Sequence, residues 1–516
     1  MDKRLPKCSG VVYLVGAGPG DPGLLTRRGE VLLRAADVVV YDHLASPRLL
    51  DLAPPGAILV RAGKSIGHCE MPQDAINAEL VAHARAGARV VRLKGGDPFI
   101  FGRGAEEAEY LRAAGVPFEV VPGVTAAVGA AAYAGIPPTH RATASAVALV
   151  TGHDDPEAEG GSSRLDWEAL ARFPGTLIVY MGVTHLAAIC RVLIERGKPA
   201  DTPAALVESG ATPRQRTVAA TLADLPVQVQ AAGLGPPALL IVGEVVAHRA
   251  ALNWFEQRPL HGRTIVVTRP AGDAFDDANT LEALGAEVLL APLVEIRPLA
   301  DPTLLDDALR SIQTYDWLVF TSANGVRAAL DRLNAIGLDL RTLGRTKIAA
   351  IGPATVEALR SYRLNADIVP PDSYRSEGLA DALLERVRGG RVLLARADRG
   401  RDVLRERLSL VAHVDQVAAY RNVDAATIPD AVVKALRAGK VDWITLTSSA
   451  SARRLFDLVP DDVRPRLGTS TKLATISPVT SATVAELGGH VAAEARTHTA
   501  PGLIEAVLEA ESKARR

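Results

Sequence analysis

At 516 residues, with 48% hydrophobic and only 23% charged side chains, the chain is too long for one ordinary core and apolar enough to bury two or more. Its formal charge of −1 supplies no global basic field to hold a nucleic acid, so any anionic ligand must be caught locally. Cys8, Cys69 and Cys190 lie far apart without CxxC spacing, which argues against a disulfide framework and a structural zinc site and points to a reducing compartment.

In chain order, Met1 to Lys7 is basic with no apolar core behind it. The best apolar run, Ala238 to Ala247, is broken by Glu244 and far too short to span a bilayer. A soluble, cytoplasmic protein with no membrane or nucleic-acid partner is expected. Val12 to Val15 reads as a buried strand that breaks into Gly16-Ala-Gly-Pro-Gly-Asp21, and Val90 to Leu93 as another that leads into Gly95-Gly-Asp-Pro-Phe-Ile-Phe-Gly-Arg-Gly104. Such turns leave bare backbone N–H groups at the mouth of a sheet, where a ligand can be held. Val38–Val40 and Phe118–Val121 join these strands in alternation with helical stretches at 24–35, 72–86 and 105–114, the rhythm of parallel βαβ units. Beyond Pro122-Gly-Val-Thr125 the pattern is mixed, with strands at 146–150, 176–180, 204–207, 216–221 and 238–242, which suggests a second lobe and a cleft. Gly160-Gly-Ser-Ser163, among acidic residues, reads as a mobile loop.

The first turn invites comparison with the dinucleotide fingerprint GxGxxG, and Asp42 follows at about the spacing of a ribose-binding carboxylate. Asp21, however, stands where the third glycine belongs, and Pro19 removes an N–H from the middle of the cradle. A pyrophosphate site is disfavoured.

Leu252 to Gly262 ends this pattern, and Arg263-Thr-Ile-Val-Val-Thr-Arg269 opens a second module on a fresh β-branched strand. That module repeats itself: Asp316-Trp-Leu-Val-Phe-Thr-Ser322 returns 126 positions on as Asp442-Trp-Ile-Thr-Leu-Thr-Ser448. Likewise Lys347-Ile-Ala-Ala-Ile-Gly-Pro353 returns 125 positions on as Lys472-Leu-Ala-Thr-Ile-Ser-Pro478. Each copy places hydroxyls and backbone N–H groups at the carboxyl edge of a parallel sheet. Two such edges facing each other would bind an extended anionic ligand.

The two glycine turns resemble those of the tetrapyrrole methyltransferases, and most closely the uroporphyrinogen-III C-methyltransferases, which use S-adenosylmethionine as cofactor. The resemblance covers about residues 10–252 and implies that family's fold, with lobes of about 10–124 and 125–252. S-adenosylmethionine has no phosphate and carries a cationic sulfonium, which suits a proline-containing turn. Matched residue by residue, Pro19, Gly95, Gly96, Asp97, Ile100, Thr125, Ala126, Met181 and Gly210 correspond to the family's cofactor contacts. Asp97 can pair with polar or cationic groups, and Ile100 and Met181 can flank adenine; taken singly, Met181 also reads as core filling and Gly210 as a turn. Asp42 and Lys64 match the positions assigned to proton transfer. A carboxylate beside a pyrrole that is being methylated lowers the barrier as base and counter-charge, whereas Lys64 reads equally as a proton donor or a ligand for a substrate carboxylate. Arg92, Arg103, His140 and Arg141 are candidates for gripping the acidic side chains of the substrate, each also readable as a solvated surface charge. The resemblance further implies a homodimer through this module.

Residues 262–510 resemble uroporphyrinogen-III synthase through Thr268-Arg-Pro270, the two Thr-Ser turns, Ile351-Gly-Pro353, Val392–Arg396 and Val417-Ala-Ala-Tyr-Arg421. Ser477 departs from the glycine usual at its turn. The family implies two flavodoxin-like domains, here about 262–297 with 422–510 and about 298–421, joined by strand-like crossings near Pro292–Leu299 and Val417–Val423. Its reaction closes linear hydroxymethylbilane with loss of water while inverting the last pyrrole ring. The substrate is already reactive, so the protein mainly has to fold it. Tyr420 matches a tyrosine thought able to assist departure of the hydroxyl, and reads equally as a packing residue at a strand end. Thr321, Ser322, Thr447, Ser448 and Thr480 lie on the facing turns, and Arg269 and Arg396, at strand ends, suit substrate carboxylates.

The two resemblances together imply an α/β fusion with parallel sheets that makes uroporphyrinogen III and methylates it twice to precorrin-2, on the branch toward sirohaem and cobalamin. The alternative is a methyltransferase of the same superfamily with another substrate, fused to a tetrapyrrole-binding module without turnover. The full Gly95–Gly104 motif and the fused synthase weigh against it.

Overall fold

The computed structural model describes residues 10–62, 71–153, 156, 164–371 and 374–515; Gly160–Ser163, expected as a loop, lies outside them. The chain forms two compact units, the first comprising Met1–Arg263 with Leu281–Glu287 and the second Thr264–Thr280 with Val288–Arg516.

The first unit holds two sheets. β1 (Val11–Gly16), β2 (Val38–Tyr41), β3 (Ile58–Arg61), β4 (Arg89–Lys94) and β5 (Phe118–Val121) form an all-parallel sheet in the order β3-β2-β4-β1-β5. Its strands are nearly continuous apolar runs because both faces are covered. Val12, Leu14, Val38, Val40 and Val90 pack into one core, Val15, Val39, Val91 and Leu93 into another. β4 and β5 flank β1 on opposite sides, so a ligand crevice opens at the carboxyl end of β1.

β6 (Val147–Thr151), β7 (Thr176–Tyr180), β8 (Pro203–Glu208), β9 (Arg216–Thr221) and β10 (Ala238–Val242) form the second sheet in the order β6-β7-β10-β8-β9. Here only β6 and β7 run parallel, in keeping with the mixed pattern read from the sequence. The helix Ala126–Tyr133 rests on this sheet through Ala127, Ala130 and Ala131, whose small side chains allow a close approach to Ile178, Ala205 and Ile241.

The second unit is α/β throughout. β11 (Thr264–Val267), β12 (Glu287–Leu290), β13 (Val294–Arg297), β14 (Trp317–Phe320), β15 (Lys347–Ala350), β16 (Arg391–Ala397), β17 (His413–Asp424), β18 (Trp443–Leu446), β19 (Lys472–Thr475) and β20 (Val491–Glu494) divide into two sheets. Their orders are β12-β11-β18-β19-β20 and β13-β17-β16-β14-β15. The first is the flavodoxin-like order, with the second-formed strand at one edge; the second repeats it with β13 added antiparallel at the far edge.

β13 moves an expected boundary. Val294 pairs with Asp424 and Arg297 with Arg421, so residues 294–297 and 422–424 belong to the sheet of β14 to β17 and not to the first flavodoxin-like domain. The alternation of Val294 and Ile296, partly buried, with Glu295 and Arg297, exposed, suits such an edge. The chain crosses between the sheets at 291–293 and again after Asp424, where the Ala425 N–H donates to the Leu293 carbonyl.

The repeat seen in the sequence is a repeat of roles. The Asp316 and Asp442 carboxylates each accept a backbone N–H from the neighbouring strand, of Arg391 and of Thr264, both at 2.8 Å. Ser322 and Ser448 cap the helices Ala323–Ala335 and Ser449–Leu458, accepting the N–H groups of Gly325 at 3.0 Å and Ser451 at 3.1 Å. Gly352 and Ser477 share extended backbone, with φ of −178° and −161°, so the departure at Ser477 is conformationally neutral.

Candidate functional site

In the first unit the two glycine turns form one structure. Gly18 and Gly96 exchange backbone hydrogen bonds, N–H to carbonyl, at 3.2 and 2.8 Å, and both have positive φ, +78° and +68°. Glycine is needed at neighbouring positions for a different reason. A Cβ on Gly16 would lie 2.5 Å from the Gly123 Cα and 2.6 Å from the Gly96 oxygen, and one on Gly123 would lie 2.2 Å from that oxygen. The ends of β1, β4 and β5 thus meet backbone to backbone. A Cβ on Gly96 itself would meet only backbone of Thr125 and Ala126 at 3.9 Å, so its outer side is open.

The other positions matched to cofactor contacts are accessible, and Thr125 and Ala126 stand beside Gly96. Pro19, Gly95, Gly96, Asp97, Ile100, Thr125, Ala126 and Gly210 are all partly exposed, in contrast to the strands that deliver them. Met181 is exposed and left-handed, with φ +57°, which rules out core filling. It does not stand alone: Phe101, Arg103, Ser209 and Ala211 also have positive φ, and of the described non-glycine residues only Arg363 shares this elsewhere. Strain of this kind costs about 1–3 kcal/mol per residue and collects at functional sites. Gly210 combines turn and packing, since a Cβ there would sit 2.3 Å from the Ala130 Cβ. Asp97, read as a partner for polar or cationic groups, is committed to the backbone: its Oδ1 accepts the Phe99 N–H at 2.8 Å and its Oδ2 the Gly123 N–H at 3.0 Å.

Two tyrosines unread in the sequence are bonded here. The Tyr180 hydroxyl lies 2.6 Å from Thr125 Oγ1 and accepts the Ala127 N–H at 2.8 Å, and burial raises its pKa. The Tyr133 hydroxyl donates to Asp21 Oδ2 at 2.6 Å, while Asp21 Oδ1 accepts the Gly23 N–H. Asp21 therefore caps a turn and ties it to the second lobe, which is why glycine is absent there.

At the end of β2, Asp42 Oδ1 accepts from Arg92 Nη2 at 2.5 Å. Arg92, expected as a substrate ligand, is instead 2% exposed, because it points inward from a central strand and is neutralised by Asp42 and Glu107. Lys94 is equally buried and bonded to Glu107 Oε1 at 2.9 Å; burial, aided by the Arg92 charge, lowers its pKa. The signal for this cluster was present in the sequence as two basic residues at alternate positions of an apolar strand, which demand buried acidic partners. Lys64 lies outside the described residues. Arg103 starts the helix Gly104–Ala113, exposed and paired with Glu106 at 2.6 Å. His140 stacks on His248 at 4.1 Å between ring centroids, and Arg141 is exposed. Among the described residues none of these three makes a hydrogen bond or ion pair with Asp42.

In the second unit Tyr420 belongs both to the core of its sheet and to the edge of the first Thr-Ser turn. It is 6% exposed, packed in the core of its sheet, and its hydroxyl lies 3.1 Å from Ser322 Oγ on the first Thr-Ser turn. Thr321 and Thr447 are partly exposed and Ser448 is exposed. Thr480 is buried, its hydroxyl 3.2 Å from Ser477 Oγ, the oxygen that caps the helix, so its side chain is engaged within the turn and is not offered to a ligand. Arg396 is also buried. Its Nη1 donates to the Arg401 carbonyl at 2.8 Å and so holds its own loop, and Arg269 Nη1 is shared between both oxygens of Asp277 at 3.1 Å. Neither arginine stands as the uncommitted carboxylate ligand expected, because each strand-end charge is compensated locally.

Two family models match the chain: Tetrapyrrole (Corrin/Porphyrin) Methylases over residues 11–226, and Uroporphyrinogen-III synthase HemD over residues 276–505. The chain is 38% identical over 444 residues to the porphyrin biosynthesis protein HemD of Ruminiclostridium josui, spanning 86% of this chain and 87% of that protein. It is 40% identical over 365 residues to the uroporphyrinogen-III C-methyltransferase of Bacillus subtilis, spanning 71% of this chain and 74% of that protein. Against the siroheme synthase of Azotobacter vinelandii, identity is 53% over 253 residues, and the match spans only 54% of that protein's length. With a methylase match in the first unit, a synthase match in the second and a relative aligned along most of both, the chain belongs to the family of fused tetrapyrrole methyltransferases and uroporphyrinogen-III synthases.

Proposed function

We propose that the chain performs two consecutive steps of tetrapyrrole biosynthesis. The second unit closes hydroxymethylbilane to uroporphyrinogen III, and the first methylates that product twice to precorrin-2, toward sirohaem and cobalamin. The observation that carries the methylation reading is the strained set Phe101, Arg103, Met181, Ser209 and Ala211 around an open glycine cradle at the carboxyl end of β1.

The cradle fits S-adenosylmethionine. It is partly exposed, its Gly96 side is open, and Pro19 withholds the N–H that a phosphate would need. When bound, the cofactor supplies an electrophilic methyl group on a cationic sulfonium. Gly95 and Gly96 let the backbone approach it, Thr125 and Ala126 line the start of the second lobe, and Met181 and Ile100 flank the adenine. Asp97 acts one step back, fixing the turn through the Phe99 and Gly123 N–H groups. As the pyrrole carbon is methylated its ring turns cationic and acidic, and the Asp42 carboxylate stabilises the charge and takes the proton. Arg103, His140 and Arg141 serve the substrate's carboxylates, and Lys64 either joins them or donates a proton.

In the second unit Thr321, Ser322, Thr447 and Ser448 present hydroxyls and helix N-termini to the folded substrate. Tyr420, anchored through Ser322, assists departure of the hydroxyl as ring closure begins. No helix among the described residues is long and apolar enough to cross a membrane. The reading places the enzyme in the cytoplasm as a homodimer through its methyltransferase unit.

Anaerobic incubation of the full chain with hydroxymethylbilane and methyl-labelled S-adenosylmethionine tests both steps together. A product of the type III isomer carrying two labels is expected. Unmethylated type I product alone would overturn both.

A further inference from the structure

The charged column behind Asp42 is a buried feature that neither reaction above uses. Arg92 and Lys94 project from alternate positions of β4 onto one face, where Glu107 of the helix Gly104–Ala113 lies fully buried against them. Glu107 Oε1 accepts from Arg92 Nε at 3.0 Å, Lys94 Nζ at 2.9 Å and Gln73 Nε2 at 3.2 Å, while Oε2 has no partner among the described residues. The other end of the Arg92 fork reaches outward through Nη2 to Asp42 Oδ1. Asp42, with 30% of its side chain exposed, is where the column meets solvent.

Two cations and two carboxylates balance in charge, yet an apolar cluster of the same volume would hold the fold at least as well. Stability therefore does not account for the column, but geometry does. A planar guanidinium fastened at Nε by a buried carboxylate cannot swing, and its remaining arm holds one carboxylate oxygen in one place.

We propose that Arg92, fixed by Glu107, is a positioning residue for methyl transfer, holding Asp42 Oδ1 so that Oδ2 faces the ring that must lose a proton. This rests on Asp42 being the proton acceptor. The ring carbon gains the methyl group, the donor departs as a neutral thioether, and the one proton the ring releases goes to Asp42 Oδ2; Arg92 stays protonated throughout.

The test uses the full chain with uroporphyrinogen III and S-adenosylmethionine, and calorimetric binding of S-adenosylhomocysteine shows that each variant is folded. Arg92→Lys keeps the charge but cannot bridge Glu107 and Asp42, and Glu107→Gln keeps the volume but loosens the Arg92 anchor. Each should lower kcat on the order of 10-fold with the KM for S-adenosylmethionine within about twofold, against a loss on the order of 10²-fold for Asp42→Asn. The decisive arm is the double variant, which should be no slower than Asp42→Asn alone. If Arg92→Lys slows the Asp42→Asn enzyme by the same factor as it slows the wild type, Arg92 acts independently of Asp42 and the proposal falls while the role of Asp42 stands. Should Asp42→Asn keep the full rate, the underlying reading fails and the proposal with it. If Arg92→Lys does not fold, the same cycle with Glu107→Gln decides between these outcomes.

Discussion

Glycines that look equivalent in the sequence do different work. Gly123 lets two backbones touch, and a methyl group there would press to 2.2 Å against the Gly96 oxygen, which cannot move without disturbing its hydrogen bond from the Gly18 N–H. Gly96 has room for a methyl group but not the conformation, since its φ of +68° strains any side chain. Gly123→Ala should therefore cost about 3 kcal/mol or more of stability in the methyltransferase unit, and Gly96→Ala about 1 kcal/mol. Denaturant melts should separate them by that margin, with Gly96→Ala still folded yet weakened in binding S-adenosylhomocysteine. Equal destabilisation would contradict the distinction between packing and backbone strain.

Among elements, the last helix shows how the repeated strands are finished. In Ala500–Arg515 the carboxylate of Glu511, 1% exposed, accepts from the Trp443 indole at 2.9 Å and from Lys472 Nζ at 2.9 Å. The ammonium of Lys472 also sits 5.0 Å above the Trp443 ring, as that of Lys347 sits 5.4 Å above Trp317 in the first copy. Glu511→Leu would leave a buried indole N–H without its acceptor, although the partly exposed Lys472 can turn to water. A loss of about 2 kcal/mol is expected, with Glu511→Gln nearer about 1 kcal/mol because one acceptor remains. Urea titration of the full chain, read by Trp fluorescence, measures this; a Leu variant as stable as the wild type would show that packing replaces the pair.

For the whole molecule, separate cores predict separate thermodynamics. S-adenosylhomocysteine bound at the glycine cradle can stabilise only the unit whose fold builds that cradle. At a free concentration about 100 times its Kd it should add about 2.7 kcal/mol to the unfolding of the methyltransferase unit. Scanning calorimetry should show one transition moving to higher temperature and the other unmoved. A shared shift of equal size would mean that the units unfold as one.

What the sequence determined by itself follows from local rules. Strand and turn are set by neighbours, so the apolar runs and glycine breaks located β1, β4 and the cradle, and an internal repeat located both Thr-Ser turns together with their capping serines. The resemblance added roles to those positions. What only the tertiary structure decided depends on which partners the fold brings into contact. The sequence shows Arg92, Arg396 and Arg269 as charges, but whether a charge is offered to a ligand or consumed inside the fold depends on Glu107, Asp42, Asp402 and Asp277, which the fold brings within bonding or ion-pair distance. Likewise β13 joined the sheet of β17 through pairing with residues more than a hundred positions away, information that no local pattern contains. Propensity and periodicity act over a few residues, whereas desolvation and charge compensation are settled only when the core closes.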